Sequence, residues 1–93
     1  MTILHYSEDR WYALHHVGDE LVVHHGVSEV CQPGFSWTTT SMTDEMNAVM
    51  CDLLHAGLIT YGRHLAWGAK VLLTFDGSER LTQWNLQHAG GVA

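Results

Sequence analysis

Histidines in two adjacent pairs are the residues whose type and spacing come closest to a metal site. His15 and His16 form the first pair, and His24 and His25 form the second, nine residues further along the chain. A zinc site takes about four nitrogen, sulfur or oxygen ligands. Successive strand residues point to opposite faces, so only one of His24 and His25 can face a given site. Because no C-x-x-C or H-E-x-x-H pattern accompanies the pairs, we expect scattered histidines, no metal and no cofactor.

Cys31 and Cys51 are the two residues that could act as thiol nucleophiles. A reactive thiolate needs a neighbouring base such as histidine, and nothing in the sequence fixes one beside either cysteine. Cys51 falls beside the apolar stripe of a predicted helix, where an inert packed thiol is expected. The chain also has no glycine-rich phosphate loop and no G-x-S-x-G turn, the patterns of two common enzyme classes. We therefore expect a protein that is not an enzyme, with reduced thiols typical of the cytoplasm.

A small basic and aromatic group lies between two glycines, Gly62 and Gly68, which are typical of a hairpin tip. Trp67 is expected to be exposed there, and exposed aromatic residues are enriched at binding hot spots. An acidic helix beside this tip could dock on a basic partner surface. The candidate partner-binding residues are therefore Trp67, Arg63, His64, Lys70, Asp44 and Glu45.

The charge balance bears on whether that partner is a nucleic acid. Ten acidic residues face four basic ones, which gives a formal net charge of −6. Affinity for nucleic acid depends strongly on cationic phosphate contacts, and the longest predicted helix has no Lys or Arg. Asn47 on that helix could read an adenine edge or simply be solvated. The charge therefore favours a protein partner over DNA.

Length and composition predict a single globular domain over residues 1–93. The chain has 93 residues, of which 46% are hydrophobic, enough for one core but too few residues for two. No apolar run approaches the roughly 18–20 residues of a membrane span. The N-terminus shows no basic region followed by an apolar one, so we expect no secretory signal, no membrane association and a cytoplasmic location.

The first two helices have clear start and stop signals. Ser7 is a plausible N-cap for a helix over residues 8–17 that ends at Gly18, and a brief strand over 21–23 follows. Ser41 or Thr43 is expected to cap a second helix, because apolar residues recur there at helical spacing. These apolar residues are Met46, Val49, Met50, Leu53 and Leu54.

The second helix is expected to end at Gly57, and a strand to follow over 58–61. A buried strand is then predicted over 71–75. Asp76 and Glu79 form a variant capping box for a last helix, whose buried face carries Leu81 and Trp84; Trp11 is likewise expected to pack in the core.

Two segments have weaker signals. Residues 26–42 favour a loop, although a short helix or a β-ribbon remains open there. The last residues, 89–93, are expected to fray.

Together these elements resemble small winged-helix proteins of actinobacteria and their bacteriophages. The resemblance rests on the run Leu53–Ile59, the hairpin after it, and Leu73–Gly77 followed by Leu81 and Trp84. It covers residues 43–86 well and 7–25 loosely. It implies an α+β fold, with helices and a two- to three-stranded antiparallel wing sheet. A usual winged helix has a further helix before the long one, where this chain carries residues 26–42.

The resemblance implies two functions. A winged-helix regulator would place the long helix in the DNA major groove and the hairpin on the backbone. A phage product on the same scaffold would instead bind and redirect a host protein in the host cytoplasm, such as a division or polar-growth scaffold or a transcription factor. The acidic charge favours the second function, and DNA binding is the alternative. A homodimer through the terminal helices is common in this class and is left open.

Overall fold

The computed structural model describes residues 4–25, 34–66 and 68–90. The order of elements in these ranges confirms an α+β fold, and no helix in them is long and apolar enough to cross a membrane. Outside the described residues lie the segment 26–33, which includes Cys31, and Trp67. The elements are α1 (Glu8–Gly18), β1 (Val22–His24), β2 (Phe35–Trp37), α2 (Asp44–His55), β3 (Ile59–Leu65), β4 (Gly68–Leu73) and α3 (Phe75–Gly90).

Within the described residues, the sheet has four antiparallel strands in the order β2-β1-β4-β3. The expectation of two or three strands was wrong because β2 pairs with β1 along its full length, from Val22 opposite Trp37 to His24 opposite Phe35. Aromatic residues at both ends of β2 favour an extended chain. The three-residue strand is too short for its alternation to be visible in the sequence.

Helices α1, α2 and α3 share one hydrophobic core with the sheet. α1 packs against both α2 and α3, and also against β4. Trp84 of α3 joins this core with an exposed fraction of only 2%, as expected. Burying one large aliphatic side chain stabilises a fold by about 1.5–3 kcal/mol. The largest fully buried side chains are Leu14, Val17, Val22, Met50, Leu53 and Val71.

Two helix starts follow the sequence signals. The Ser7 hydroxyl accepts a hydrogen bond from the Arg10 N–H at 3.1 Å. The Thr43 hydroxyl accepts one from the Met46 N–H at 3.2 Å, so Thr43 rather than Ser41 caps α2. Each cap satisfies a backbone donor that has no partner within the helix.

The end of α1 differs slightly from the prediction. Gly18 belongs to the helix, and Asp19 follows as the C-cap residue. The left-handed backbone conformation occurs at Glu20, with φ of 59°. The reversal into β1 therefore does not use the conformational freedom of Gly18.

α2 ends as predicted at Gly57, which has a φ of +78°. The Gly57 N–H donates to the Leu54 carbonyl and the Leu58 N–H to the Leu53 carbonyl, each at 3.0 Å. This pair of bonds is the Schellman motif, in which a left-handed glycine satisfies the last carbonyls of a helix. The following residue, Leu58, is buried and directs the chain into β3.

α3 begins one residue after Thr74, so the prediction of Asp76 as its cap was wrong. The Thr74 hydroxyl accepts a hydrogen bond from the Gly77 N–H at 3.0 Å. Phe75, predicted to end a buried strand, is instead the first helical residue and is 78% exposed. Fraying was expected over residues 89–93, but α3 extends through residues 89 and 90; residues 91–93 lie outside the described residues.

Candidate interaction surface

The outward side of α2 is acidic. Its exposed positions fall within a sector of about 100°, given about 100° of rotation per residue. Three carboxylates and one imidazole lie there, without a Lys or Arg. We call these positions the α2 face: Asp44, Glu45, Ala48, Asp52 and His55.

Asn47 fixes the start of α2 and is not available to a ligand. It is 7% exposed. Its Oδ1 accepts a hydrogen bond from the Phe35 N–H at 3.0 Å, and its Nδ2 donates to the Thr43 carbonyl at 3.2 Å. Neither the base-reading nor the solvated interpretation of Asn47 is correct. The residue joins β2 to the first turn of α2, the turn that carries Asp44 and Glu45.

A glycine at the start of β4 allows this end of the hairpin to approach β1 closely. Gly68 has a φ of +132°, which side chains rarely tolerate. A Cβ at this position would lie 2.0 Å from the His24 carbonyl oxygen. Gly68 therefore lets the start of β4 contact the backbone of β1.

A β-bulge separates the candidate residues on the hairpin. Tyr61 pairs with Val71, and His64 pairs with Ala69. Residues 62 and 63 of β3 therefore lie opposite the single residue 70 of β4. Sheet alternation then puts His64 on the face of Ala69 and Lys70 on the other. Arg63 and His64 are both exposed, but His64 and Lys70 do not form one basic cluster.

The basic charge of the hairpin is partly neutralised within the chain. Lys70 Nζ lies 3.6 Å from Glu20 Oε1, with both side chains more than half exposed. Exposed pairs of this kind contribute about 0–1 kcal/mol, yet they lower the net positive charge of the surface. Within the described ranges, Arg63 takes part in no ion pair. Among the described hairpin residues, Arg63 is therefore the cation whose charge is not paired with a carboxylate.

The two remaining cations face the chain's own groups. Arg10 Nη2 lies 4.0 Å from Asp52 Oδ2, and its Nη1 donates to the His5 carbonyl at 3.1 Å. Arg80 donates to the Leu4 carbonyl at 2.8 Å and lies 5.8 Å from the ring centre of Trp84. These contacts anchor the N-terminal segment to α1 and α3. They leave little cationic surface for phosphates.

A stack of rings joins α1 to α3. The Trp11 ring stacks on the ring of His88 and on the ring of His15, with centroid distances of 3.8 Å and 5.4 Å. Its Nε1–H donates to Asn85 Oδ1 at 2.7 Å, and the Tyr6 hydroxyl lies 3.2 Å from His88 Nδ1. Trp11 is half-buried and packs against the core, as expected. It also stacks on histidines of α1 and α3.

The ring contacts continue from α1 to β2. The Tyr12 and His16 rings are 4.1 Å apart, and Trp37 contacts them at 5.8 Å and 5.2 Å. His15 and His16 link the two sets at 5.5 Å. Sequence reasoning missed this band, although Trp11 with His15 and Tyr12 with His16 have the i, i+4 spacing of helix neighbours. The first histidine pair therefore acts in ring packing.

Among the described residues, His24, His25 and Cys51 do not belong to a group that could hold a metal ion. Across residues 4–25, 34–66 and 68–90, no three His, Cys, Asp or Glu side chains are grouped to hold a metal ion. The His24 ring contacts the rings of Phe35 and Tyr61, each at 4.9 Å. Cys51 is half-buried beside the core.

No protein-family model, curated protein sequence or solved structure matches the chain. The α2 face and the β3–β4 hairpin are thus interpreted from their own charge and geometry. Trp67, the remaining candidate residue, lies outside the described ranges, and its assignment stays a prediction.

Proposed function

We propose that this chain is a non-enzymatic protein-interaction module of the winged-helix type, which binds a basic partner surface through the α2 face and the β3–β4 hairpin. The observation that carries the proposal is the α2 face. Three carboxylates point outward there, and of these Asp52 alone has a cation, Arg10, within 4.0 Å. Complementary charge accelerates association and selects partners, so the surface suits a basic protein.

The joint between α2 and α3 supports the winged-helix part of the proposal. The two motifs that carry the resemblance, at residues 53–59 and 73–77, contact each other through Thr74 and Gly57. The hairpin lies between them in the chain, and its strand β4 pairs with β1. β2 lies within residues 26–42, the segment where a usual winged helix has a further helix, so the proposed scaffold is a variant of that class.

DNA binding is the weaker alternative. Duplex DNA carries about one negative charge per 1.7 Å of helix axis. A helix bearing Asp44, Glu45 and Asp52 would bring like charges together in the major groove. Arg63 is exposed and could contact a phosphate. One such contact provides little of the affinity of a typical specific binder.

The biological setting of the proposal rests on the resemblance. A phage-encoded chain of this kind would act in the host bacterial cytoplasm, where it would bind and redirect a host protein. A division or polar-growth scaffold and a transcription factor are the two kinds of target we favour. The chemistry of the α2 face adds one requirement, a patch of Lys and Arg on the target.

The test is capture of partners from an actinobacterial lysate by the tagged chain, with and without nuclease. We expect a stoichiometric protein that survives nuclease and is lost with the D44N/E45Q variant. The control is E8Q/D9N, because Glu8 and Asp9 hold the same positions after the N-cap of α1 and are also exposed. Recovery of DNA, or of proteins that disappear with nuclease, would contradict the proposal.

A further inference from the structure

A groove lies between the N-terminal segment and the second half of α3. Its volume is about 560 Å³, in the range of cavities that bind ligands. Leu4 and Trp84 line it and belong to the hydrophobic core, whereas Leu86, which also lines it, is 72% exposed. Polar side chains of α3 line the groove as well: Arg80, Gln83 and Gln87. The groove therefore offers both apolar contact and hydrogen-bonding groups to a ligand.

Arg80 lies at the end of the groove nearest the start of α3. Its Nη1 donates to the Leu4 carbonyl at 2.8 Å, and its Cζ lies 5.8 Å from the ring centre of Trp84. These contacts orient the guanidinium but use only part of its N–H donors. No carboxylate of residues 4–25, 34–66 or 68–90 forms an ion pair with it. Arg80 is therefore an oriented, half-buried cation that can bind one carboxylate through two parallel hydrogen bonds.

Two glutamines continue the polar row from Arg80 towards the end of α3. Residues 80, 83 and 87 have the i, i+3, i+7 spacing that puts side chains on one side of a helix. Gln83 and Gln87 are exposed, and within the described ranges their side-chain amides take part in no hydrogen bond. They are about 6 Å apart along the helix axis, close to the roughly 6.6 Å between alternate residues of an extended chain. Because each amide can both donate and accept, the pair suits the backbone of an extended peptide.

We infer that this groove binds the C-terminal end of an extended partner peptide, whose terminal carboxylate pairs with Arg80. Gln83 and Gln87 hydrogen-bond to the peptide backbone, and Leu86 contacts an apolar side chain among its last residues. A single guanidinium contributes little to binding of a phosphate backbone, which takes several cations, but it suffices for one carboxylate. The residues that line the groove come from the N-terminal segment and α3, so this site is separate from the α2 face and from the hairpin.

The position of Asp76 favours a peptide that ends at Arg80 over one that continues past it. Arg80 is the first α3 residue that lines the groove. Asp76 lies one turn earlier on the same side of the helix and is exposed. A chain that continued past Arg80 would leave the groove and meet this carboxylate, whereas a terminal carboxylate reaches Arg80 without passing Asp76. The free C-terminus of a peptide is therefore the ligand that best fits this end of the groove.

The test is an NMR titration of the isotope-labelled full chain with the acetylated tetrapeptide Ala-Ala-Ala-Leu, which carries a free C-terminal carboxylate. We expect the side-chain amide signals of Gln83 and Gln87 to shift, with a dissociation constant on the order of 1 mM. The same peptide with a C-terminal amide should bind at least about fivefold more weakly, because it lacks the charge that pairs with Arg80. Acetate should leave the Gln87 signals in place, because Gln87 lies about 10 Å from Arg80 along the helix.

Substitutions at the end of the groove should change this affinity in opposite directions. Arg80→Gln should raise the dissociation constant of the free-acid peptide at least about fivefold and abolish the preference for the acid over the amide. Asp76→Asn should lower it about twofold, because the substitution removes a carboxylate one turn from the binding cation. The matched control is Arg63→Gln, which removes an exposed cation of the hairpin and should leave the dissociation constant unchanged.

Arg80→Gln also removes the bond to the Leu4 carbonyl, so a second variant tests the groove at exposed positions. Q83A/Q87A should raise the dissociation constant at least about threefold and preserve the fold, since alanine favours a helix; thermal unfolding checks this. Equal affinity for the acid and amide peptides, a shift of the Gln87 signals by acetate alone, or no binding up to about 20 mM peptide would each overturn the proposal. So would wild-type affinity in either Arg80→Gln or Q83A/Q87A.

Discussion

The Thr74 hydroxyl donates a 2.6 Å hydrogen bond to the Gly57 carbonyl, and this bond fastens the start of α3 to the end of α2. The same hydroxyl accepts from the Gly77 N–H at 3.0 Å. The Thr74 N–H also donates to the Leu58 carbonyl at 3.1 Å. One threonine thus satisfies the ends of two helices and fixes the position of the α2 face relative to the rest of the domain.

Thr74→Val should lower the free energy of unfolding by about 0.5–2 kcal/mol, because it removes the N-cap of α3 together with the exposed hydrogen bond to the Gly57 carbonyl. Thr74→Ser should recover most of that loss. Urea unfolding measures the difference. Thr82→Val is the control, since the Thr82 hydroxyl donates to a carbonyl within α3 at an exposed position. An equal loss in both variants would contradict the role of the joint.

Gly77→Ala should destabilise the fold by more than about 3 kcal/mol or prevent folding, as large values follow from steric strain in a packed site. An added Cβ would lie 1.8 Å from the Leu58 carbonyl oxygen. Gly90→Ala is the matched substitution, because a Cβ there meets no atom within 4 Å. It should be neutral or stabilise α3 by up to about 1 kcal/mol. Thermal unfolding distinguishes the two, and equal stability would refute the close approach.

Asn47→Ala should cost about 1–3 kcal/mol because it leaves the Phe35 N–H buried without an acceptor. Hydrogen exchange of the Phe35 amide should also become faster. Asn47→Asp keeps the acceptor and should retain slow exchange at Phe35 while losing the bond to the Thr43 carbonyl. If exchange at Phe35 were unchanged in Asn47→Ala, the proposed tie between β2 and α2 would be wrong.

The stack of Trp11 on His88 should couple α1 to α3 by about 0.5–1.5 kcal/mol, the range found for aromatic pairs. A double-mutant cycle of Trp11→Ala and His88→Ala, followed by urea unfolding, measures this coupling. A parallel cycle of Trp11→Ala with His55→Ala should show none, because His55 is exposed on α2. Coupling of the same size in both cycles would mean that the effect does not come from the stack.

Local signals predicted much of the scaffold. Ser7, Thr43 and Gly57 occupy the capping positions expected of them because each acts on backbone groups within four residues. The apolar period of α2 likewise predicted its buried face. Thr74 was missed as a cap because Asp76 and Glu79 imitate a capping box two residues later. Tertiary contacts to Gly57 and Leu58 decide between the two positions, and the local sequence does not show them.

The surface was harder to predict than the scaffold. Asn47 was expected on the exposed side of α2 or at a DNA base. It is instead buried, because its Oδ1 accepts the hydrogen bond of the Phe35 N–H. His64 and Lys70 were grouped by proximity in sequence, and the bulge in β3 puts them on opposite faces. The stack of rings that includes His88 forms only where α1 packs on α3, a tertiary contact that the local sequence does not show. The acidic character of the α2 face follows directly from its residue types and helical period.

Binding of a basic protein to the α2 face is tested most directly by the affinity of the captured partner for two charge-matched variants of this chain. Isothermal titration calorimetry should show that D44N/E45Q raises the dissociation constant at least about tenfold, whereas E8Q/D9N changes it less than about twofold. Added salt should weaken the wild-type complex more than that of D44N/E45Q. Equal effects of the two variants, or a complex indifferent to both, would contradict the claim.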